Sequence, residues 1–329
     1  MTMRELAKLA NVSVATVSKA FGNAEDISEE TKNHIFDIAR QYGCFGKFYK
    51  GKYPKKIIAV IFPELKSNYY TNYVERLQGL IEAAGCIPVL STDDFRVEKQ
   101  AELIEYYCSY LQVDGVIVFK LRGKLKKGYT TPIISLFSSD DNAVDSVNVN
   151  TESAIFSAVR LLTDLGHTRI AYLGETLTGY KSRIYRDAMA KLSPAEPVII
   201  ESEHRFEDAG QDGVRQLLAA KIPFTALLCA YDNIAFGAIK QLQRAGLRVP
   251  EDVSVIGFDN IATGEFAQTT LTTIDTNPQE LCMVVWDLLQ KKLKNPYFRS
   301  RQTIVIETNL ILRDSVAKPR EEEPTHGQI

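Results

Sequence analysis

The stretch MTMRELAKLANVSVATVSKAF, residues 1–21, predicts two short helices joined by a tight turn. Thr2 and Glu5 have the spacing of a capping box, in which the two residues satisfy free amides at a helix start. Asn11 stands at the turn, and Asn tolerates a left-handed backbone better than most residues. Ser13 is a good N-cap for the second helix. The chain therefore begins with a helix pair.

The second predicted helix, residues 14–21, has an inward and an outward side. Val17 and Ala20 have the spacing of packed residues. The outward side carries short side chains and a cation: Val14, Ala15, Thr16, Ser18 and Lys19. Such a helix suits the DNA major groove, where base edges are read. Spacing alone leaves a small helical interaction module as the alternative.

The same segment carries a family resemblance. The string LAKLANVSVATVSKAF closely resembles the helix-turn-helix of the lactose-repressor (LacI-type) family, with Asn11 for the usual Gly and Lys19 for the usual Arg. A third helix is expected from Ser28, its N-cap, through Arg40. The resemblance implies a three-helix DNA-binding head over residues 1–46. Thr2 and Ser13 are then expected at the operator, with the outward residues of the second helix.

Residues 47–56 are predicted to form a linker that departs from the family pattern. Family members have an Ala-Arg-x-Leu segment there, which forms a short hinge helix on DNA. In this chain the segment is shorter, and Gly46, Gly51 and Pro54 oppose a helix. We therefore predict that the usual hinge helix does not form.

The linker still carries groups that suit DNA. Lys47 and Lys50 are expected to contact phosphates. Phe48 and Tyr49 are expected to be exposed, with insertion between bases as the alternative. Charge agrees with contact through one end of the molecule, because residues 1–56 hold ten Lys and Arg against six Asp and Glu in a chain of net charge −2.

Cysteine usage and the N-terminus point to a reducing compartment. The five cysteines, at positions 44, 86, 108, 229 and 282, are scattered, and their spacing suggests neither a disulfide framework nor a zinc site. The first residues lack the apolar region of a secretory signal, and no run approaches a membrane span. We expect a cytoplasmic, nucleoid-associated protein without a metal or cofactor.

The remaining sequence predicts an α/β fold. Apolar strands alternate with amphipathic helices, a pattern typical of parallel sheets that are covered on both faces. The rhythm restarts after Asn150, which predicts two doubly wound lobes. The predicted strands are 57–62, 86–92, 114–119, 131–137, 168–174, 225–230, 252–258 and 303–313.

Three stretches of this body resemble the same family: GHTRIAYLG (166–174), the long segment 225–261, and LTTIDTNPQEL (271–281). The resemblance implies a periplasmic-binding-protein-like core behind the head. We expect a first lobe of residues 57–148 with 276–297. A second lobe of 149–275 with 298–315 and a disordered tail of 316–329 complete the division.

Two carboxylates are expected in the cleft between the lobes. Asp232 and Asp259 each follow a predicted strand, and ligands bind at the carboxyl ends of strands in open parallel sheets. A carboxylate there accepts hydrogen bonds from ligand hydroxyls. The alternative for Asp232 is an N-cap of the following helix.

Other cleft residues follow from the resemblance. Arg183 aligns with a family arginine that reaches the ligand, with Arg186 as the alternative, and Phe206 matches an aromatic position of the pocket. Residues expected after the first strand in the same pocket are Tyr69, Tyr70 and Tyr73. Tyr231 replaces a frequent Asn, and VNVNT (147–151) replaces a frequent V-x-V-D-N. The effector is expected to be a carbohydrate.

The function that follows is a sequence-specific transcription regulator, expected to be a repressor. We expect it to bind a two-fold-symmetric DNA operator as a homodimer, with a tetramer as the alternative, under control of a small molecule. A cytoplasmic solute-binding protein without DNA function is the alternative. The motifs G-x-G-x-x-G, G-x-x-x-x-G-K-[ST], H-E-x-x-H and G-x-S-x-G do not occur, which argues against an enzyme.

Overall fold

The computed structural model describes residues 1–22, 24, 26–49, 55–125, 128–141, 143–295, 297–298 and 300–320. The chain divides into two compact units, Met1–Lys56 and Ile57–Ile329, which we call the head and the body. The described part of the head contains the helices α1 (Met3–Leu9), α2 (Val14–Phe21), α3 (Glu29–Gln41) and α4 (Phe45–Phe48).

The helix starts in the head are confirmed. Thr2 Oγ1 accepts from the Glu5 amide at 3.3 Å, and the Thr2 amide donates to Glu5 Oε2 at 2.7 Å. Ser13 Oγ accepts from the Thr16 amide at 3.0 Å, and Ser28 caps α3 in the same way. Asn11 has φ 52°. These features were predictable because each depends on bonds within one turn of chain.

The end of the head differs from the prediction. Phe48 is only 9% exposed, and its ring lies 5.7 Å from that of Phe21. Phe45 packs edge-on against Phe36, and Tyr49 stacks on Phe45. Phe48 is therefore neither an exposed linker residue nor free to enter DNA, because its burial stabilises the head. The linker boundary at residue 47 is wrong by at least two residues.

The first lobe of the body is built on a six-stranded parallel sheet. The elements are β1 (Ile57–Phe62), α5 (Asn68–Ala83), β2 (Ile87–Thr92), α6 (Val97–Glu105), a π-helical turn (Tyr106–Tyr110), β3 (Gly115–Leu121), β4 (Ile133–Ser139), β5 (Asp145–Val149), α12 (Pro278–Lys294) and β11 (Thr303–Ile306). The strand order in the sheet is β11-β5-β4-β3-β1-β2, and Ile57 pairs with Ile87 at the start of β1 and β2. Buried apolar side chains cover both sheet faces.

The second lobe is built on a four-stranded parallel sheet of order β7-β6-β8-β9 and a two-stranded antiparallel sheet of β10 and β12. Its elements are α7 (Thr151–Asp164), β6 (Ile170–Glu175), a 3-10 turn (Thr176–Thr178), α8 (Gly179–Leu192), β7 (Val198–Ser202), α9 (Phe206–Ala219), β8 (Ala226–Cys229), α10 (Asp232–Arg244), β9 (Ser254–Ile256), α11 (Thr263–Phe266), β10 (Thr273–Asp275) and β12 (Asn309–Ile311). The buried apolar side chains of this lobe form one cluster. The predicted two-lobed parallel α/β fold is confirmed.

The last predicted strand, residues 303–313, is two strands in different lobes. Ile304 pairs with Val147 in the first sheet, whereas Leu310 pairs with Ile274 in the second lobe. The chain crosses between lobes after Ile306, so the assignment of residues 298–306 to the second lobe is wrong. Both halves of the run TIVIETNLILR have the apolar pattern of a strand, because each half lies in a sheet. The pattern therefore does not show where the chain crosses between lobes.

The first part of the predicted disordered tail is ordered. Ser315 is buried, and its hydroxyl donates to the Val255 carbonyl at 2.6 Å. His167 Nε2 lies 2.8 Å from the Ala317 carbonyl, and the Ala317 amide donates to Ser254 Oγ. Residues 316–320 are therefore attached to the second lobe, and 321–329 lie outside the described residues. Within the described part of the chain, no helix is long and apolar enough to cross a membrane.

Candidate functional site

The outward face of α2 is free within the head. Val14 is 42% exposed, and Ala15 and Ser18 are exposed, while Val17 and Ala20 are buried against the other helices. The first turn thus presents short side chains while the opposite face packs. This arrangement is what insertion of a helix end into the major groove requires.

Several predicted DNA-contacting groups also hold the head together. Thr2, Ser13 and Thr16 take part in the helix caps described above. Lys19 is half-exposed and pairs with Asp26. Lys47 Nζ donates to the Met1 carbonyl at 2.9 Å, which places this cation beside the start of α1. Lys50 and the rest of the predicted linker core, residues 50–54, lie outside the described residues.

The body contains a cavity of about 630 Å³. It lies at the carboxyl ends of β3, β4 and β5 and is bounded from the second lobe by the start of α8 and by Phe258, two residues after β9. Open parallel sheets bind ligands at this edge. Its aromatic lining consists of Tyr69, Tyr70, Phe95, Phe119, Phe137, Tyr180 and Phe258. The volume and aromatic walls suit one small organic molecule.

The polar lining supplies donors and acceptors around these rings. The residues are Lys120, Arg122, Ser138, Asn148, Asn150, Thr151, Glu152 and Lys181. Arg122 Nη1 donates to Asp93 Oδ2 at 2.9 Å, so this cation is held in place. Asn148 Oδ1 is buried and accepts no hydrogen bond from the described residues. Because an unsatisfied buried acceptor is costly, a ligand hydroxyl at this wall would be favoured.

Lys181, like Lys120 and Arg122, is a lining cation that the sequence did not indicate. It is 6% exposed, and its Nζ donates to the Ala230 carbonyl at 2.7 Å. Burial lowers the pKa of Lys181 to about 8, although the carboxylates of Asp259 and Asp232 act in the opposite direction. Arg183, the predicted ligand contact, is exposed on α8 and does not line the cavity. Two residues along a helix differ by roughly 200° in direction, so the register decides which cation faces inward.

Asp259 lies beside the cavity with its carboxylate unpaired by described residues. The residue is 9% exposed, and its φ of 108° is rare for a side chain other than Gly. Burial raises the pKa of Asp259 well above its usual value, while Lys181 lowers it. Besides burial, the Asp259 charge raises the pKa of the lining residues Tyr69 and Tyr70. The carboxyl therefore lies close to the cavity that these rings line.

Asp232 has a structural position instead. It is 1% exposed, and its carboxylate accepts from Thr273 Oγ1 at 2.5 Å and from the Ile261 amide at 2.8 Å. Burial raises the pKa of Asp232 to about 7. The N-cap position of α10 belongs to Tyr231, so Asp232 neither lines the cavity nor caps the helix. It fixes the loop that carries Asp259.

Two predicted aromatic contacts also lie outside the cavity lining. Tyr73 is 1% exposed, and its hydroxyl bonds Thr276 Oγ1 at 2.8 Å, which makes it a core residue near a crossing between lobes. Phe206, at the start of α9, packs against Tyr231 with ring centroids 6.2 Å apart. Tyr69 and Tyr70, one helical turn before Tyr73, do line the cavity. The tyrosine spacing therefore separates lining from core positions.

The described residues contain no cluster of three or more His, Cys, Asp or Glu that could hold a metal ion. The buried histidine of the second lobe, His167, bonds Thr225 Oγ1 at 2.9 Å as well as the Ala317 carbonyl. Both ring nitrogens make bonds within the second lobe, so His167 has a structural position.

Comparison with known proteins agrees with this geometry. Residues 2–43 match the family described as bacterial regulatory proteins, lacI family, and residues 159–316 match the periplasmic binding protein-like domain. The HTH-type transcriptional repressor CytR of Escherichia coli (strain K12) is 27% identical, over 95% of this chain and 96% of the relative.

Solved structures share the fold at lower identity. The lac repressor dimer bound to operator and the anti-inducer ONPF is 21% identical, with a TM-score of 0.75 over 96% of this chain and 99% of its own. A LacI family transcriptional regulator from Enterococcus faecium with bound ribose is 22% identical, with a TM-score of 0.71 over 80% of this chain and 100% of its own.

Proposed function

We propose that this chain works as a regulator of the lacI type: its head, of which residues 2–43 match the lacI family of bacterial regulatory proteins, reads a DNA operator while its body senses a small carbohydrate. The protein is a DNA-binding transcription regulator. The observation that carries the operator proposal is the two-sided α2, with Val17 and Ala20 buried and Val14 and Ala15 exposed. A helix with this division can enter a groove without loss of its own packing.

The proposed DNA contacts lie at the start of α2 and beside it. Val14 and Ala15 meet thymine methyl groups, and Thr16 and Lys19 contact bases or phosphates. Phosphates are also contacted by Thr2, Ser13, Ser18, Lys47 and Lys50. Lys19 exchanges Asp26 for the operator, because both groups are exposed and an exposed pair is weak.

The proposed effector site is the cavity of the body. Tyr69 and Tyr70 stack on apolar faces of a sugar ring, Asp259 and Asn148 accept from its hydroxyls, and Lys181 donates to them. Support comes from the lining aromatic rings and from Asn148 Oδ1, the buried oxygen of the lining that accepts no hydrogen bond from the described residues. The proposed site leaves out four residues that do not line the cavity: Arg183, Phe206, Tyr73 and Asp232.

Effector binding is proposed to act through a two-fold dimer. A ligand between two lobes favours one arrangement of them, and in a dimer this changes the spacing of the heads. Operator affinity then changes because the half-sites have a fixed separation. The relative CytR is a transcriptional repressor, and we propose that this chain likewise represses, acts on nucleoid DNA in the cytoplasm, and releases its effector chemically unchanged.

The test is selection of random duplex DNA by the purified full-length protein. We expect a two-fold-symmetric site from the wild type, loss of enrichment with Lys19→Glu, and no loss with Lys66→Glu, an exposed body lysine with the same charge change. Repetition with pooled mono- and disaccharides identifies effectors by altered enrichment. Failure of the wild type to enrich any site, with and without sugars, would contradict the proposal.

A further inference from the structure

Arg205 connects the two lobes across the cleft. Its Nη1 donates to Glu64 Oε2 and its Nη2 to Glu64 Oε1, both at 2.9 Å. Glu64 follows β1 in the first lobe, whereas Arg205 precedes α9 in the second. A bidentate guanidinium–carboxylate contact requires both planes to face each other at one distance. The contact therefore exists in only one arrangement of the lobes.

The flat faces of the guanidinium also meet both lobes. Arg205 Cζ lies 5.3 Å from the ring centroid of Phe95, in the first lobe, and 4.4 Å from that of Phe206, in the second. The side chains of Arg205 and Glu64 are 34% and 12% exposed. Partial burial screens this pair less than a surface pair, so the contact contributes more than an exposed one.

The second lobe fixes Arg205 through a chain of hydrogen bonds. Arg205 Nε donates to Glu175 Oε1 at 3.4 Å, and Tyr231 OH donates to Glu175 Oε2 at 2.6 Å. The Phe206 amide donates to Tyr231 OH at 3.1 Å. Tyr231, which stands where the family often has Asn, thus holds both the carboxylate and the backbone beside Arg205.

We propose that Arg205 is a positioning residue that ties the second lobe to Glu64 and so sets how readily the cavity opens. The position of the contact supports this role, because Pro63, which precedes Glu64 in the chain, and Phe95, which lies against the guanidinium, both line the cavity. Opening of the cleft breaks both bonds at once, so the tie favours the arrangement in which Glu64 and Arg205 meet, although the return of two charges to water offsets part of that loss. The inference rests on the proposed function only in treating this cavity as the effector site.

The test is hydrogen–deuterium exchange of the full-length protein without any sugar. Arg205→Gln and Glu64→Gln are each expected to speed exchange by roughly tenfold in peptides on both sides of the cleft, 63–70 with 92–97 and 203–210. Arg205→Lys keeps the charge without the planar fork and is expected to be intermediate. The double variant Glu64→Gln/Arg205→Gln is expected to match either single variant, because both remove one contact.

Arg248→Gln is the matched control, since Arg248 makes a bidentate contact with Asp252 inside the second lobe. It is expected to leave the cleft peptides unchanged. If Arg205→Gln altered only 203–210 while Glu64→Gln altered nothing, Arg205 would be a local structural residue and the proposal would be wrong. Additive effects in the double variant would also contradict it. Because the exchange is measured without sugar, its result tests the Arg205–Glu64 contact even if the proposed effector is wrong.

Discussion

Lys181 Nζ lies 3.4 Å from the ring centroid of Phe258. Both residues line the cavity, one from the start of α8 and the other after β9. An ammonium over an aromatic face is attracted by the ring quadrupole, which compensates part of the cost of burial. The pair therefore presents a cation and a ring to the same ligand, and its charge state matters for the protein.

The charge of Lys181 predicts a pH dependence of stability. Its pKa is about 8 in the folded protein and 10.5 in the unfolded chain. Between these values the unfolded chain binds a proton that the folded chain does not, so the free energy of unfolding rises with pH there. The slope is at most about 1.4 kcal/mol per pH unit.

Urea unfolding at pH 7–10.5 measures this slope. Asp259 titrates with Lys181, so Asp259→Asn is the background in which Lys181→Met is compared with Lys181. We expect the slope above pH 8 to flatten with Lys181→Met. Equal slopes in the two proteins would show that the pKa of Lys181 is not lowered in the folded protein, and would contradict the prediction.

The lowered pKa of His167 predicts a loss of stability at acidic pH. Burial lowers the pKa of His167 below 6.5, although its bond to the Ala317 carbonyl opposes this. As pH falls below 6.5 the unfolded chain binds the proton first, so stability decreases. His167→Gln is expected to cost about 1–2 kcal/mol at pH 7.5 and to reduce the loss between pH 6.5 and 5. Chemical unfolding of the wild type and the variant at pH 7.5, 6.5 and 5 measures both effects. An equal loss of stability between pH 6.5 and 5 in the two proteins would contradict the prediction.

Gly237 allows α9 and α10 to cross closely. A Cβ on Gly237 would lie 1.9 Å from the Glu207 carbonyl oxygen. Gly237→Ala is therefore expected to destabilise the protein by about 3 kcal/mol or more. The control is Gly79→Ala in the exposed middle of α5, where a Cβ meets no described atom within 4 Å. It is expected to stabilise by about 0.5–1 kcal/mol. Thermal unfolding measures the change in stability of both variants. Similar changes in the two variants would contradict the prediction.

Phe48 predicts where the head ends. Because Phe48 packs against Phe21, Phe48→Ala is expected to cost the head about 3 kcal/mol. Tyr42→Ala, at a 51% exposed position, is expected to be within about 0.5 kcal/mol of wild type. Scanning calorimetry of the full-length protein gives both values. If Phe48→Ala left the stability of the head nearly unchanged, Phe48 would belong to the linker and the prediction would be wrong.

Exchange of Val14 and Ala15 is expected to alter which operator is preferred. The double variant Val14→Ala/Ala15→Val moves one methyl-contacting side chain along the groove, so base preference is expected to shift by roughly fivefold without loss of binding. Glu30→Gln, at an exposed position of α3, is the control in the same head. Selected site sequences are compared; identical preferences in all three proteins would remove these residues from base reading.

Features that depend on neighbouring residues were predictable from sequence. The caps at Thr2, Ser13 and Ser28, and the apolar strand Ile57–Phe62, depend on bonds or patterns a few residues long. The inward-facing cation was not predictable. Lys181 and Arg183 lie two residues apart, and only the packing of α8 on its sheet selects Lys181.

The sequence by itself determined the helix-turn-helix and the two parallel-sheet lobes, because local bonds and apolar periodicity are written along the chain. Only the tertiary structure decided that Phe48 belongs to the head and that residues 303–313 divide between lobes. It also decided that Arg205 meets Glu64, 141 residues away. Contacts of this kind depend on the angle at which whole elements pack, and no short stretch of sequence records that angle.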